Sequence, residues 1–159
     1  MIARAIPKTG PRRYRVLYVE DSAANLERVE ELLAARKDLL LLHAGNVNLG
    51  IRLARVERPE LILIGIDLPG FDVARGASDL IKLLRADPAT QSAPILALSA
   101  NAAPAAIVKG LEAGFFHYLT TPLQAAPLME ALDYALEFAA LERTEQAGTL
   151  SRASSQPSR

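Results

Sequence analysis

The chain has 159 residues, half of them hydrophobic and 23% charged, a globular rather than a disordered balance. Lysine plus arginine (18) cancels aspartate plus glutamate (18), so the basic excess that usually marks nucleic-acid binding is absent. Cysteine is absent too, which excludes disulfides, thiolate catalysis and cysteine-based metal sites.

Residues 1–14 carry Arg4, Lys8, Arg12 and Arg13 among Pro7, Gly10 and Pro11, with no acidic residue, and read as a flexible basic arm. They contain no apolar h-region of a secretory signal, and no run in the chain approaches the roughly 20 apolar residues of a membrane span. The expectation is a cytoplasmic protein without a membrane partner.

Five short apolar runs follow: Arg15–Glu20, Leu39–His43, Glu60–Ile66, Pro94–Ser99 and Phe115–Leu119. They are too short for helices and apolar throughout rather than alternating, as strands covered on both faces should be. Helical-period segments separate them. The first has Ser22 as N-cap and Leu26, Val29, Leu32 and Leu33 on one stripe. The second starts near Asn46, carries Ile51 and Ala54, and ends before Pro59. The third runs from about Ser78 through Leu80, Ile81 and Leu84 to Asp87–Pro88. The fourth has Pro104 in its first turn and Gly114 just past its end. The last carries Leu128, Leu132, Ala135 and Leu136, with Pro127 in its first turn. From residue 142 to 159 the chain becomes Ser-rich and apolar-poor, and is expected to be a disordered tail. Its roughly 18 residues are too few for a DNA-reading domain.

This alternation predicts an α/β fold, a (βα)5 doubly wound parallel five-stranded sheet of the flavodoxin type, over residues 15–141. In such sheets the functional crevice lies beyond the carboxyl ends of the strands. Those ends hold Glu20–Asp21, His43–Ala44, Gly65–Asp67, Ser99–Ala100 and Leu119–Pro122.

The segments VLYVEDSAANLERVEELL, PELILIGIDLPGFD, LLRADPATQSAPILALSAN and GFFHYLTTPL, taken together, resemble the receiver domain of two-component response regulators, and most closely the receivers of hybrid sensor histidine kinases. The resemblance implies a domain that accepts a phosphoryl group from a kinase histidine onto an aspartate ending the third strand. Such transfer is carried mostly by positioning and charge neutralisation. It implies an acidic pair for Mg²⁺, here Glu20 and Asp21, a switch hydroxyl, here Ser99, an aromatic switch, here Tyr118, and a structural proline, here Pro122.

Two positions depart from that pattern. Leu68-Pro69-Gly70 places the acceptor at Ile64 or Gly65, and the strand phase selects Gly65, which has nothing to phosphorylate. The lysine expected before Pro122 is Thr121. A buried ammonium that had lost its carboxylate partner would be a liability, so the two losses agree. The expectation is a degenerate receiver, not an enzyme, requiring no cofactor and acting through protein contacts. Its partners would be a histidine kinase or another signalling protein. The resemblance also implies a homodimer or docking face on the fourth helix, fifth strand and fifth helix, here Ala105–Glu112, Phe115–Leu119 and Leu128–Leu141, with Ala139 and Ala140 read as outward-facing.

The alternative is a working receiver using Asp67, with Mg²⁺ held by Glu20 and Asp21. On an extended strand Asp67 points to the same side as Gly65, about 6–7 Å further along; separately from any phosphoryl transfer, Glu20, Asp21 and Asp67 could still gather a divalent cation such as Mg²⁺ weakly. His43 and His117 lie on different strands without ligand spacing and read as strand residues. Val73-Ala74-Arg75-Gly76 after Asp72 predicts a lengthened loop partly covering the site.

Overall fold

The computed structural model describes residues 13–68 and 76–154. The elements alternate as β1 (Tyr14–Val19), α1 (Ala23–Leu33), β2 (Leu39–Ala44), α2 (Val47–Glu57), β3 (Leu61–Gly65), α3 (Gly76–Ala86), β4 (Ile95–Ser99), α4 (Pro104–Ala113), β5 (His117–Thr120) and α5 (Ala125–Ser154). All strand pairs are parallel, in the order β2-β1-β3-β4-β5. The predicted (βα)5 doubly wound sheet is therefore the observed fold.

Strand periodicity explains why the runs are apolar throughout. Leu17, Val19, Ile62, Ile64, Ile95 and Ala97 face one core together with Leu53, Leu80, Ile81 and Leu84 of α2 and α3. Val16, Tyr18, Leu61, Leu63, Leu96 and Leu98 face the other, against Val29, Leu33, Leu128 and Leu132 of α1 and α5. Successive side chains point to opposite faces, and both faces are covered, so no polar alternation survives.

The predicted cap at Ser22 is in place, and Asn46, where the second helix was expected to start, caps α2. Ser22 Oγ accepts from the Asn25 amide, and Asn46 Oδ1 accepts from the Leu49 amide. Each satisfies one of the donors that a helix N-terminus leaves unpaired. Gly114 ends α4 at φ 113°, a conformation that glycine adopts without Cβ strain.

Three element boundaries differ from expectation, and two expectations fall outside the described residues. Helix α3 begins at Gly76, two residues before Ser78. The expected lengthened loop falls on residues 69–75, and most of the basic arm on residues 1–12, both outside the described residues, although Tyr14 already belongs to β1. Helix α5 does not stop at Leu141 but continues to Ser154. The segment after Leu141 contains strong helix formers, a single glycine (Gly148) and no proline before Ser154, so nothing breaks a helix already nucleated on the sheet. Residues 155–159 lie outside the described residues. No helix among the described residues is long and apolar enough to cross a membrane.

Arg36 ties the start of β2 to α5, with Nη2 at 2.8 Å from Asp38 Oδ2 and 2.9 Å from Asp133 Oδ1. The hydrogen bond from Arg36 holds the Asp38 carboxyl below its usual range. A depressed carboxyl contributes stability above its unfolded pKa, about 3.9, and loses it as pH falls through the folded value. Asp38 is largely solvated, so the contribution is below about 1 kcal/mol. Asp38→Asn should therefore lower stability slightly at neutral pH and make the decline below about pH 4 shallower. Urea midpoints measured against pH for both proteins check this.

Candidate functional site

The strand order reverses direction beside β1, so the connections leaving β1 and β3 diverge and open a crevice at their carboxyl ends. In register, Val19 pairs with Ile64 and Gly65 pairs with Leu98, which puts Glu20 beside Gly65.

Gly65 is where the two carboxylate assignments diverge. A Cβ placed on Gly65 would lie 2.2 Å from Glu20 Oε2 and 2.9 Å from its Cδ. The Glu20 carboxylate thus fills the space that an acceptor side chain would need. It is buried, at 6% exposure, and is held from both sides. Oε2 accepts from the Tyr18 hydroxyl at 3.0 Å, and Oε1 accepts from the Asp21 and Ser22 amides at 3.1 Å each. Tyr18 is fully buried, and that burial, with the Glu20 charge beside it, pushes the phenol far above its usual pKa. Its proton therefore stays on the oxygen and donates to Glu20.

Asp67 goes elsewhere. Its Oδ1 accepts from Ser99 Oγ at 2.8 Å and its Oδ2 from the Ala100 amide at 2.7 Å. The expectation that Asp67 shares a side with Gly65 assumed an extended strand. The chain instead turns at Ile66–Asp67, past the end of β3, and the two-residue alternation lapses there.

The predicted trio for a metal does not assemble. Among the described residues no group of three or more His, Asp or Glu is placed to hold a metal ion. Each Glu20 oxygen accepts a hydrogen bond from the chain, and so does each Asp67 oxygen, so the two carboxylates are engaged with different donors. Asp21 is exposed.

Ser99 and Tyr118, the residues expected at the switch positions, are joined. Ser99 Oγ, besides donating to Asp67, accepts from the Asn101 amide at 3.0 Å. Asn101 Oδ1 accepts from the Ala103 amide at the start of α4, and its carbonyl accepts from the Tyr118 hydroxyl at 2.8 Å. Tyr118 is buried, at 7% exposure. Thr121, in the expected lysine position, donates its backbone amide to the Ser99 carbonyl, and the Thr121–Pro122 peptide is cis. His43 presents Nε2 to the Glu20 carbonyl at 2.8 Å, a structural contact in which that nitrogen carries the proton, and His117 is exposed at the start of β5.

Sequence reasoning missed Tyr18 as the partner of Glu20. The signal was there in the two-residue spacing, since Glu20 directly follows β1 and its amide still donates to the Ala44 carbonyl, which carries the strand alternation one residue further. Ala139, read as outward-facing, is buried, whereas Ala140 is exposed as expected. The exposed apolar side chains near this face are Val108 and Leu111 of α4 and Tyr134, Phe138 and Leu141 of α5. The Phe116 ring packs against Tyr134 and Phe138 with centroids at 5.4 and 5.1 Å.

A family model described as the response regulator receiver domain matches residues 16–133. The chain is 30% identical over 127 residues to sensor protein GacS of Pseudomonas syringae pv. syringae, covering 79% of this chain but 14% of that protein. It is 27% identical over 122 residues to protein PilH of Pseudomonas aeruginosa, covering 77% of this chain and 97% of PilH. Among solved structures, the receiver domain of sensor histidine kinase PA1611 from Pseudomonas aeruginosa PAO1, with magnesium in its active-site cleft, superposes with a TM-score of 0.67. That match is 26% identical and covers 79% of this chain and 98% of the other.

Proposed function

The chain belongs to the response regulator receiver domain family, and from that premise we propose that it is a degenerate receiver, a protein-interaction module of two-component signalling that works without aspartyl phosphorylation. The observation that carries this reading is at Gly65. The acceptor position has no side chain, and the Glu20 carboxylate occupies the space an acceptor would need. Thr121 in place of the lysine supports it, because a hydroxyl cannot neutralise phosphoryl charge as an ammonium does.

The alternative, Asp67 as a substitute acceptor with Mg²⁺ on Glu20 and Asp21, has less support. A nucleophilic carboxylate needs a free oxygen directed at the phosphorus and a cation to neutralise the transferring group. Both Asp67 oxygens accept hydrogen bonds within the chain, and the described residues form no metal-binding group.

The proposed working surface is the α4–β5–α5 face, where Val108, Leu111, Tyr134, Phe138 and Leu141 are exposed. Exposed apolar side chains on these elements fit a protein surface better than a nucleic acid. The partner we propose is a histidine kinase, another signalling protein or a second copy of this chain, in the cytoplasm.

Intact-mass measurement after incubation with Mg²⁺ and acetyl phosphate tests the reading. The expected result is no phosphoryl adduct. A Mg²⁺-dependent adduct mapped to Asp67 would overturn it in favour of the alternative.

A further inference from the structure

We infer that the Asp67 carboxylate is a built-in anion filling the oxyanion cradle of Ser99 and Ala100, and that by doing so it holds Tyr118 in its buried position without any phosphoryl group. The inference deepens the phosphorylation-independent reading and rests on it.

Two donors, the Ser99 hydroxyl and the Ala100 amide, converge on one carboxylate at 2.8 and 2.7 Å, the short distances of charge-assisted bonds. A hydroxyl has a single hydrogen, and an ionised carboxylate only accepts. Asp67 therefore fixes the direction of the Ser99 O–H and leaves a lone pair facing the Asn101 amide, which donates to it at 3.0 Å. Asn101 is in turn placed so that its carbonyl receives the Tyr118 hydroxyl and its side chain receives the Ala103 amide, one residue before α4. An unbroken run of hydrogen bonds thus leads from Asp67 to the α4–β5 face.

An independent observation shows that the buried Tyr118 position is accommodated from the other side. A Cβ on Gly110 of α4 would lie 2.8 Å from Tyr118 Cδ2, so the ring occupies space that only glycine leaves free. Ring and helix are fitted to this one arrangement.

The test is NMR on the full chain with Asp67→Ala, Asp67→Asn and Gly110→Ala. Gly110→Ala crowds the ring without touching Asp67 and supplies the reference signals of a displaced Tyr118. In Asp67→Ala, hydrogen-exchange protection of the Ala100 and Asn101 amides should fall about tenfold or more, and Tyr118 ring signals should move toward the Gly110→Ala reference. Asp67→Asn, which keeps one acceptor oxygen, should lie between. Inorganic phosphate should perturb Ala100 in Asp67→Ala and leave the wild type unmoved. Tyr118 signals in Asp67→Ala that match the wild type would overturn the inference, as would a wild-type Ala100 that responds to phosphate equally. A lack of response to phosphate in both proteins would overturn the assignment of the cradle as an oxyanion site. None of these depends on the mass measurement: a phosphoryl adduct on the wild type would sink the functional reading, whereas an unmoved Tyr118 sinks this inference alone.

Discussion

Introducing an aspartate at Gly65 should destabilise the domain by about 2–4 kcal/mol. The backbone at Gly65 is ordinary strand, so no positive φ forbids a side chain there. The obstacle is the Glu20 carboxylate, 2.2 Å from the new Cβ and held by Tyr18, Asp21 and Ser22. Admitting the introduced aspartate means swinging Glu20 out, which leaves the buried Tyr18 hydroxyl without its acceptor. The alternative is to keep two carboxylates in contact in a poorly solvated crevice. Either is costly. Shortening Glu20 in the same protein, Gly65→Asp with Glu20→Asp, should recover part of the loss, because the two positions compete for one volume. Urea midpoints of the wild type, both single variants and the double variant measure the coupling. Equal midpoints for Gly65→Asp and the wild type would show that Glu20 leaves its place freely.

Leu132→Ala should lower stability by about 3 kcal/mol and the melting temperature by about 10 °C. Leu132 is fully buried on α5 and belongs to the core shared with Val16, Leu61, Leu63 and Leu96. Truncation leaves a cavity between a rigid sheet and a helix docked on it, and the surroundings can relax only in part. Phe138→Ala, further along the same helix, should behave oppositely. The residue is 41% exposed and its ring touches Phe116, so the stability loss is smaller, about 1–2 kcal/mol. The proposed contact face, however, loses one of its largest apolar side chains. Thermal denaturation and sedimentation measured on both variants separate the roles: Leu132→Ala lowers the melting temperature, and Phe138→Ala weakens association. A Phe138→Ala protein that self-associates or binds its partner as the wild type does would remove that residue from the working surface.

Both predictions turn on how much could be read before the fold was known. The five apolar runs, the cap at Ser22, the start of α2 near Asn46 and the end of α4 at Gly114 were legible because each depends on local chemistry. Burial on both faces of a sheet erases polar alternation, a short oxygen side chain pairs a nearby amide, and glycine takes a left-handed residue. The strand order could be approached through the handedness of the crossovers, whereas the reading of Gly65 as the acceptor position rested on the resemblance to receivers combined with the strand phase. The continuation of α5 to Ser154 was missed because composition was read for burial, whereas a helix already anchored on a sheet needs only residues that do not interrupt it.

What the tertiary structure decided was the use made of each carboxylate. Nothing in the order Glu20, Asp21, Gly65, Asp67 says that Glu20 turns inward to the Tyr18 hydroxyl while Asp67 turns across to Ser99 and Ala100. As sequence, the three acids left open a weak shared metal site. The outcome depends on which donors come within about 3 Å once strands from distant parts of the chain are laid side by side. A hydrogen bond is decided over tenths of an ångström, and spacing along a chain sets position only to the length of a residue. The residue types at the site were therefore a property of the sequence, and their partners a property of the fold.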